Sequence, residues 1–465
     1  MYQAELHSPR PRFRTAARVA IVGAGFSGTM LAINLLEQAD VEVLLIERDR
    51  NRMGAGVAYS SSDRSHLLNV RAGNMSAFAD RPDHFCNWLA ARGQGCDGAF
   101  VTRAIYGLYL RETLASAMDR HGRRLKLVDD EVLDIEERGG QVTLGLAHGG
   151  LIEADRAVLA IGNLPPHDHP ATSGAGLTPW RYVGEPWSSP LAEGLRQGQT
   201  VLIIGTGLTA IDVILRLASS GFEGKIVAMS RRGLRPHRHV DGLPPAPPVL
   251  AKPAPELSTL VQWVRQAAQN ADWRLAVDSI RPITQMMWAS ADADKRARFL
   301  RHLRPFWDIH RHRLAPEVAA RIDGLVRSGQ LVFRAGKISE VVSEPDTVAV
   351  HWRPRGEARV ERLDVARIIN CTGPQGDLLR ATDPLVRQLL RKGKIRPDAL
   401  RLGLDIDRDG HVVDNEGRAS DHILAIGPMT RGDLWEVVAV PDIRIQVSAL
   451  ARRLVNAHWI AGEGL

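Results

Sequence analysis

The stretch V-A-I-V-G-A-G-F-S-G, from Val19 to Gly28, decides the fold of this chain. Its first four residues form an apolar run, the glycines follow as G-x-G-x-x-G, and a stretch with apolar residues at helical spacing comes next. Gly23 permits a tight turn, Gly25 lets a pyrophosphate approach the backbone, and Gly28 lets the helix pack closely on the strand. The pattern predicts a strand, a turn and a helix whose N-terminus accepts the phosphates of a dinucleotide.

An acidic residue follows this turn at the distance that ribose recognition requires. The apolar run Val41 to Ile46 ends in Glu47, about twenty residues after the glycines. A carboxylate there can accept hydrogen bonds from both ribose hydroxyls, and it would repel a 2′-phosphate. We therefore predict that the first turn binds FAD. The residues assigned to it are Gly23, Gly25, Phe26, Ser27, Gly28, Glu47 and Arg48.

The same pattern recurs near the middle of the chain. Thr200 to Ile204 is typical of a strand, and G-T-G-L-T-A from Gly205 to Ala210 is an allowed variant of the turn. The next apolar run ends in Ser230-Arg231-Arg232 and has no acidic residue. Two guanidinium groups and a hydroxyl suit a 2′-phosphate, which favours NADPH over NADH, although both arginines are also compatible with solvated surface charge. The residues assigned here are Gly205, Gly207, Ala210, Ser230, Arg231 and Arg232.

The two halves repeat one series of elements, with an antiparallel meander before a last buried strand. Those last strands end at Gly162 and Gly373, where the chain is expected to leave each sheet beside a bound nucleotide. The predicted class is α/β, with two Rossmann-like doubly wound dinucleotide-binding domains and the NADPH domain inserted into the FAD domain. The predicted boundaries are 18–165 and 376–465 for the two parts of the FAD domain, and 198–375 for the NAD(P)H domain, with a helical insert at 235–328.

The insert begins with a proline-rich stretch, which cannot form a regular helix or a central strand. The following residues, 256–326, are typical of helices broken near Pro282, Pro305 and Pro316. Such an insert can form the wall or lid of a substrate pocket. An oligomer interface explains it equally well.

The C-terminal part returns to the first domain. A buried strand is predicted at Asp421 to Ile426, and a helix is predicted from Pro441 to Arg453 after a loop that carries a tryptophan. The N-terminus of that helix could stabilise the negative charge of a reduced flavin, or the helix could simply cover the core. The residues that complete the FAD assignment are Gly427, Pro428, Trp435 and Asp442.

Composition limits the function classes. The chain has 465 residues, 44% apolar and 24% charged, with a formal charge of +7, and it contains no basic run with interleaved aromatics of the kind that binds nucleic acid. The first eighteen residues lack an apolar leader, and no stretch reaches the ~20 apolar residues of a membrane span, so a cytoplasmic protein is expected. No metal ligands are assigned.

The cysteines argue against a dithiol reductase. Cys86, Cys96 and Cys371 contain no C-x-x-C pair, and three are too few for a disulfide framework. We expect each of them to be a small buried or half-buried residue.

Several stretches together resemble the bacterial FAD/NAD(P)-binding family that includes a FAD-dependent urate hydroxylase, and more distantly the two-nucleotide flavin monooxygenases. The similar stretches are G-A-G-F-S-G, G-V-A-Y from Gly56, H-L-L-N-V from His66, N-M-S-A from Asn74, S-R-R-G from Ser230, H-R-H-R from His310 and G-P-M-T-R-G-D-L-W-E from Gly427. The His-before-Trp fingerprint of ketone-oxidising monooxygenases is absent, which argues against Baeyer-Villiger chemistry. The last strand also lacks the Gly-Asp pair that many FAD proteins use on the ribityl chain, which leaves Asp433 or Asp442 as a substitute.

The resemblance implies a single-component monooxygenase that uses FAD, NADPH and molecular oxygen on a small polar or anionic substrate, with a purine such as urate as the first to test. Tyr59, His66 and Asn69 are the candidates for lining the reactive face, although His66 is also compatible with a structural histidine. The run His310 to Arg313 could bind an anionic substrate, bind NADPH phosphates or face solvent.

Two alternatives remain open. One is an NADPH-dependent flavin reductase or oxidase that inserts no oxygen. The other is an electron-transfer or redox-sensing subunit that docks an acidic protein through the Arg- and His-rich insert. An oligomer is compatible with either of them and with the monooxygenase.

Overall fold

The structure is a computed structural model that describes residues 17–60, 63, 65–96, 98–187, 190–244, 246–247, 256–374 and 376–462, without the side chains of 456–462. Most of the N-terminal segment examined for a leader lies outside the described residues. So do much of the proline-rich stretch and the predicted boundaries at 375 and 465.

Strands and helices alternate along the chain. The strands are β1 (Ala17–Val22), β2 (Val41–Glu47), β3 (Leu125–Asp129), β4 (Val132–Arg138), β5 (Gln141–Leu146), β6 (Leu151–Ala154), β7 (Arg156–Leu159), β8 (Tyr182–Val183), β9 (Thr200–Ile204), β10 (Lys225–Ser230), β11 (Leu331–Ser343), β12 (Val348–Pro354), β13 (Glu361–Val365), β14 (Arg367–Asn370), β15 (His411–Val413) and β16 (Ala419–Ala425). The helices are α1 (Phe26–Gln38), α2 (Gly56–Tyr59), α3 (His84–Ala90), α4 (Arg103–His121), α5 (Leu208–Ser219), α6 (Leu257–Asn270), α7 (Trp273–Ile280), α8 (Thr284–Ser290), α9 (Ala293–His302), α10 (Arg304–Arg311), α11 (Pro316–Arg327), α12 (Pro384–Arg391) and α13 (Val440–Gly462).

The first sheet combines strands from both ends of the chain, in the order β15-β16-β7-β1-β2-β3. All its pairs are parallel except β15 with β16. The strands are apolar because helices α1 and α13 cover one face and the meander β4-β5-β6 covers the other. Since β1 pairs with β2 on one side and β7 on the other, the strand order reverses at β1, and a ligand crevice forms at its carboxyl end.

The second sheet has the order β13-β12-β11-β10-β9-β14-β8 and is built from residues between β7 and β16. The NADPH domain is therefore inserted into the FAD domain, and the predicted class is confirmed. The thirteen-residue β11 pairs in parallel with β10 and then antiparallel with β12, which joins the meander to the sheet. Strand β8 also joins this sheet, although it lies before the predicted boundary at 198.

Each of the three prolines in residues 256–326 lies in the first turn of a helix or in a 3₁₀ turn. Pro282 lies in a 3₁₀ turn between α7 and α8, Pro305 lies in the first turn of α10, and Pro316 begins α11. Proline is tolerated at these positions because the amide groups of a first turn have no partner within the helix. The insert packs against the C-terminal part of the first domain, where Trp288 stacks on Trp435 with ring centres 4.6 Å apart.

Cys86 and Cys96 are half-buried as expected, but their pairing was not predicted. Cys86 in α3 and Cys96 form a disulfide with Cα atoms 5.3 Å apart, because the loop after α3 turns back toward the helix. Their separation of ten residues matches no dithiol motif, so the spacing gave no signal. Cys371 is buried as expected, at 5% exposure, and burial raises the pKa of its thiol.

No described helix combines the length and the apolar composition needed to cross a bilayer.

Candidate cofactor and substrate site

The first glycine turn leaves no room for side chains. A Cβ added to Gly23, whose φ is +103°, would lie 2.5 Å from the carbonyl oxygen of Ala160. A Cβ added to Gly28 would lie 1.9 Å from the carbonyl oxygen of Gly23. Phe26 and Ser27 begin α1 and are buried. The turn therefore has the close strand-to-helix geometry that a pyrophosphate needs.

Two further glycines close over this turn from elsewhere in the chain. Gly56 approaches Gly25 so closely that its added Cβ would be 2.9 Å from the Gly25 Cα atom. Gly427, at φ +85°, would place a Cβ 2.5 Å from Ser27 Oγ. The first contact was not predicted, although the G-A-G spacing of residues 54–56 was a visible signal. Both parts of the first domain therefore meet at the N-terminus of α1.

The predicted ribose acid, Glu47, is fixed beside the turn. Its Oε2 accepts the backbone N–H of Ala24 at 2.9 Å, and its Oε1 accepts that of Asp49 at 3.2 Å. Each oxygen keeps a lone pair for a ribose hydroxyl. Arg48 instead forms ion pairs with Glu131 and Asp383, each at 3.0 Å. The backbone and Glu47 thus fit an adenosine dinucleotide, whereas the Arg48 side chain is held by its own chain.

The remaining FAD candidates lie at the strand ends. Gly162 has a φ of +69°, and an added Cβ would meet nothing within 4 Å. Gly427 donates its N–H to Gln446 Oε1 at 2.9 Å, and Pro428 is buried in the turn that follows.

The second glycine turn is tight on its strand side and open on its ligand side. An added Cβ at Gly205 would lie 2.2 Å from the carbonyl oxygen of Cys371, but one at Gly207 would meet nothing within 4 Å. Gly373, at φ +92°, is equally open. The third position, Ala210, is fully buried and has room for its methyl group. A dinucleotide backbone can therefore approach at Gly207.

The polar residues at the end of β10 make different contacts. Ser230 Oγ bonds Thr206 Oγ1 at 2.9 Å and accepts the Gly233 N–H at 3.0 Å, which fastens this segment to the second turn. Arg231 is exposed, and no described carboxylate lies within ion-pair distance of it. Arg232 lies over the ring of Phe306, 5.4 Å from its centre. Of the two arginines, only Arg231 lines the cavity at the second turn.

A cavity of about 920 Å³ opens at this turn. Four parts of the chain line it. The second domain contributes Gly207, Ser230, Arg231, Lys337 and Gly373, and the connection between domains contributes His169. The insert contributes Arg304, Asp308 and His312, and the C-terminal part of the first domain contributes Arg431, Trp435 and Glu436. The cavity therefore lies where the nicotinamide nucleotide turn faces the FAD domain.

Sequence reasoning missed several of these residues. Lys337 is exposed in the cavity and adds a second cation near Arg231 in the same domain. Its position just after the part of β11 that pairs with β10 was the available signal, because parallel strands reach the same edge of a sheet together. Arg304 had no motif of its own, whereas Arg431 lies in the G-P-M-T-R-G-D-L-W-E stretch and was not singled out there.

Glu436 joins the insert to the first domain. It is 7% exposed and has a φ of +72°, which is rare for a residue with a side chain. Its Oε1 accepts the indole N–H of Trp307 at 2.8 Å, and its Oε2 lies 3.1 Å from Arg311 Nε. These partners hold an unfavourable backbone conformation at the edge of the cavity.

The four residues of the H-R-H-R run do different things. His310 packs against the rings of His237 and Trp273, and Arg313 binds Asp278 through two bonds of 2.9 Å. Only His312 lines the cavity, and burial lowers its pKa, so its imidazole is neutral near pH 7. The run is therefore mostly structural.

The structure does not bring the three predicted catalytic residues to the cavity wall. Tyr59 packs edge-on against Tyr106, and burial raises its pKa to about 12. His66 is 2% exposed, and its Nε2 lies 3.2 Å from the carbonyl oxygen of Asp212 in α5. The Asn69 carbonyl accepts a bond from a histidine of the insert at 3.0 Å. His66 and Asn69 connect the two domains, Tyr59 packs within the first, and the catalytic roles of all three stay predictions.

Trp435 and Asp442, the last two residues of the FAD assignment, lie in different surroundings. Trp435 lines the cavity, and its buried Nε1 has no hydrogen-bond partner among the described residues. Asp442 lies in the first turn of α13, 3.4 Å from Arg281 and 3.9 Å from Arg311. Burial raises the pKa of its carboxyl group.

Known proteins share this architecture. Residues 20–164 match the model of a family described as FAD-NAD(P)-binding. The uncharacterised protein YdhS of Escherichia coli (strain K12) is 24% identical over 221 residues, which cover 43% of this chain and 39% of YdhS.

Two solved structures match over nearly the whole chain. L-lysine 6-monooxygenase from Pseudomonas syringae is 17% identical, with a TM-score of 0.66 over 96% of this chain and 100% of its own. The Kutzneria ornithine N-hydroxylase KtzI, solved with reduced FAD, NADP+ and L-ornithine, is 16% identical, with a TM-score of 0.64 over 95% of this chain and 100% of its own. Together with the two glycine turns, these findings confirm the resemblance: residues 20–164 match the FAD-NAD(P)-binding family, and the chain has the fold of two-dinucleotide flavin monooxygenases.

Proposed function

We propose that this protein is a FAD-dependent, NADPH-using monooxygenase of a small polar or anionic substrate. The observation that carries the proposal is the 920 Å³ cavity, which opens at the second glycine turn and is closed by residues of the FAD domain. This arrangement suits a site in which one nucleotide delivers electrons to the other, beside a small third molecule.

The residues present fit both cofactors. Backbone N–H groups at the start of α1, with the Glu47 carboxylate, would hold the pyrophosphate and ribose of FAD. The open face at Gly207 would accept the pyrophosphate of NADPH, and Arg231 and Lys337 would bind its 2′-phosphate. When bound, the two cofactors supply hydride transfer and oxygen activation.

The protein's own contribution is positioning and exclusion of water. The insert covers the cavity through its contacts with the C-terminal part of the first domain, where Trp288 donates to the carbonyl of Gly432 at 2.7 Å. A closed cavity would protect an oxygen-activating flavin from water. His66 and Asn69 would hold the two domains together as interdomain contacts, and Tyr59 would pack within the first domain.

Relatives support oxygen insertion. KtzI is named as an N-hydroxylase and the Pseudomonas syringae protein as a monooxygenase, and both act on amino acids with a terminal amine. We include such amines in the substrate panel, together with urate as the first purine.

Turnover with ¹⁸O₂ tests the proposal. Purified protein with FAD is mixed with NADPH and each substrate, and NADPH loss, oxygen uptake, hydrogen peroxide and product mass are recorded together. We expect one substrate to accelerate NADPH oxidation and to gain one ¹⁸O atom for each NADPH consumed.

Other outcomes identify the alternatives. If all the oxygen consumed appears as hydrogen peroxide with every substrate, the protein is an oxidase. If reduced protein passes its electrons only to a protein acceptor, it is an electron-transfer subunit. Colourless protein that ignores NADPH would overturn the proposal.

The proposed compartment is the cytoplasm, and oligomerisation is left to measurement. A Cys86–Cys96 disulfide is uncommon in that compartment. Thiol alkylation in freshly lysed cells, followed by mass spectrometry, shows whether the pair is reduced in place.

A further inference from the structure

Three hydrogen-bond donors meet on one wall of the cavity, and the function proposed above leaves them without a ligand. They are the guanidinium groups of Arg304 and Arg431 and the indole N–H of Trp435. We call this wall the donor corner. Arg304 comes from the start of α10, whereas the other two come from the C-terminal part of the first domain.

Trp435 contributes a rigid surface and a free donor. Its ring is fixed by stacking on Trp288, and the Arg304 guanidinium lies 6.0 Å from its centre. Its Nε1 is buried and has no partner among the described residues. An unpaired buried donor of this kind destabilises the folded chain unless a ligand accepts its bond.

Arg431 is a cation without a carboxylate. Its Nε donates to the Leu402 carbonyl at 2.9 Å, and the structure gives no partner to its two terminal nitrogens among the described residues. Burial and the positive charge of Arg304 lower its pKa to about 10. The nearest buried acid, Asp398, is occupied by the N–H groups of Leu402 and Gly403.

The acids of the cavity are already paired. Asp308 lies 3.4 Å from the Nε edge of Arg304, and Glu436 is held by Arg311 and Trp307. The terminal nitrogens of Arg304 therefore remain available beside Arg431. Two neighbouring guanidinium groups in a partly buried wall repel each other, and a bound anion removes that repulsion.

We propose that the donor corner binds the anionic group of the substrate, a carboxylate or the enolate of a planar heterocycle, against the face of Trp435. This inference rests on the proposed function, because it assigns the substrate class of the same cavity. Bidentate guanidinium bonds suit a carboxylate or an enolate, and the indole edge suits a third oxygen. The phosphates of NADPH are assigned to Arg231 and Lys337, which belong to the other domain.

Matched acids and amides test the corner without turnover. Protein loaded with FAD is heated with benzoate or benzamide, nicotinate or nicotinamide, and indole-3-carboxylate or its amide, and the unfolding temperature is measured as a function of concentration. Members of each pair have the same shape and differ in charge. We expect at least one acid to stabilise the protein more than its amide.

Variants locate the effect. In Arg431→Gln the acid should bind about tenfold to a hundredfold more weakly, and in Arg431→Lys the loss should be smaller. Trp435→Phe keeps the ring, removes the donor and should weaken binding a few-fold. Arg380→Gln removes a cation from another part of the same cavity and is the matched control, with acid binding unchanged.

Three results would overturn the inference. Acids and amides could stabilise equally, or Arg431→Gln could keep the acid effect, or Arg431→Gln could weaken NADP+ binding tenfold, which would assign the corner to the nucleotide. If Arg431→Gln loses FAD, Arg304→Gln takes its place. Failure of the proposed function would be visible separately, as absence of NADPH oxidation by a protein that still distinguishes acids from amides.

Discussion

The two glycine turns share one pattern but differ in what surrounds them. The first is enclosed by its own chain, since Gly56 packs on Gly25 and Gly427 packs on Ser27. The second is open, since a methyl group at Gly207 would meet nothing within 4 Å, and a cavity begins there. An enclosed turn suits a cofactor that stays bound, and an open turn suits a nucleotide that binds and leaves in each cycle.

The largest expected effect comes from filling the enclosed turn. In Gly28→Ala the new methyl group would lie 1.9 Å from the Gly23 carbonyl oxygen, so strand and helix must separate. We expect loss of FAD retention and a decrease of about 1–3 kcal/mol in the free energy of unfolding. Flavin absorbance after gel filtration and urea unfolding measure the two effects.

The second turn provides the control for this change. Ala210 is the equivalent residue, and Ala210→Gly should cost about 1 kcal/mol of helix stability and leave FAD in place. Equal FAD loss in Gly28→Ala and Ala210→Gly would mean that the first turn is no more enclosed than the second.

The next effect concerns nucleotide choice. Arg231→Gln should raise the KM for NADPH about tenfold or more and leave that for NADH nearly unchanged, because a charge-assisted bond to the 2′-phosphate is lost. Arg232→Gln is the matched control, since Arg232 lies over Phe306 and does not line the cavity. Steady-state rates with NADPH and NADH measure the two KM values. Equal increases in the KM for NADPH in the two variants would refute the distinction between these arginines.

A smaller effect is expected from Gly207→Ala. Because the added methyl group has open space in the protein, folding and FAD content should not change. The same methyl group would occupy the approach of the pyrophosphate, so NADP+ should bind about three- to tenfold more weakly in calorimetric titration. Unchanged NADP+ affinity would show that the dinucleotide does not approach at this glycine.

The smallest effect is a pH dependence confined to the segment that closes the first turn. Burial, with Asp405 and Asp398 nearby, raises the pKa of Asp433 from 3.8 to about 6. The folded state therefore binds this proton more tightly than the unfolded chain does. The contribution of Asp433 to the free energy of unfolding consequently falls as the pH rises from about 4 through 6. Asp433→Asn should be about 1 kcal/mol more stable than the parent at pH 7.5, allowing for solvent screening.

Unfolding of both proteins without FAD at several pH values measures this difference. The advantage of Asp433→Asn should shrink below pH 6 and disappear near pH 4. An advantage that is constant with pH would assign it to packing rather than to the proton.

The fold was predictable because its signals are local. Glycines at fixed spacing between an apolar strand and a helix state the geometry of each turn, and the tight contacts at Gly28 and Gly205 are the physical reason for that spacing. The insertion of one domain into the other followed from the repeat of the whole series.

The site was predictable only in part, because its walls come from distant segments. Arg231 followed from the end of a strand, but Arg304 reaches the cavity through tertiary packing and has no local pattern. Arg431 lies in a quoted motif whose letters do not say which side chain faces the cavity. The Cys86–Cys96 pair was missed for a related reason, since a loop reversal brings the two together. His66 is a different case: it belongs to a suggestive motif and contacts the second domain, and its catalytic role stays a prediction.

The split of the first sheet has a consequence for biosynthesis. Strand β16 pairs directly with β7, yet more than two hundred residues separate the two strands. During synthesis, Arg156–Leu159 therefore cannot pair until Ala419–Ala425 has been made. A ribosome that has released the second domain has delivered every strand of that domain's sheet, but the first sheet still lacks β15 and β16 at one side. The first sheet can therefore be completed only after the whole second domain has been synthesised, and we expect FAD to be retained only from that stage on.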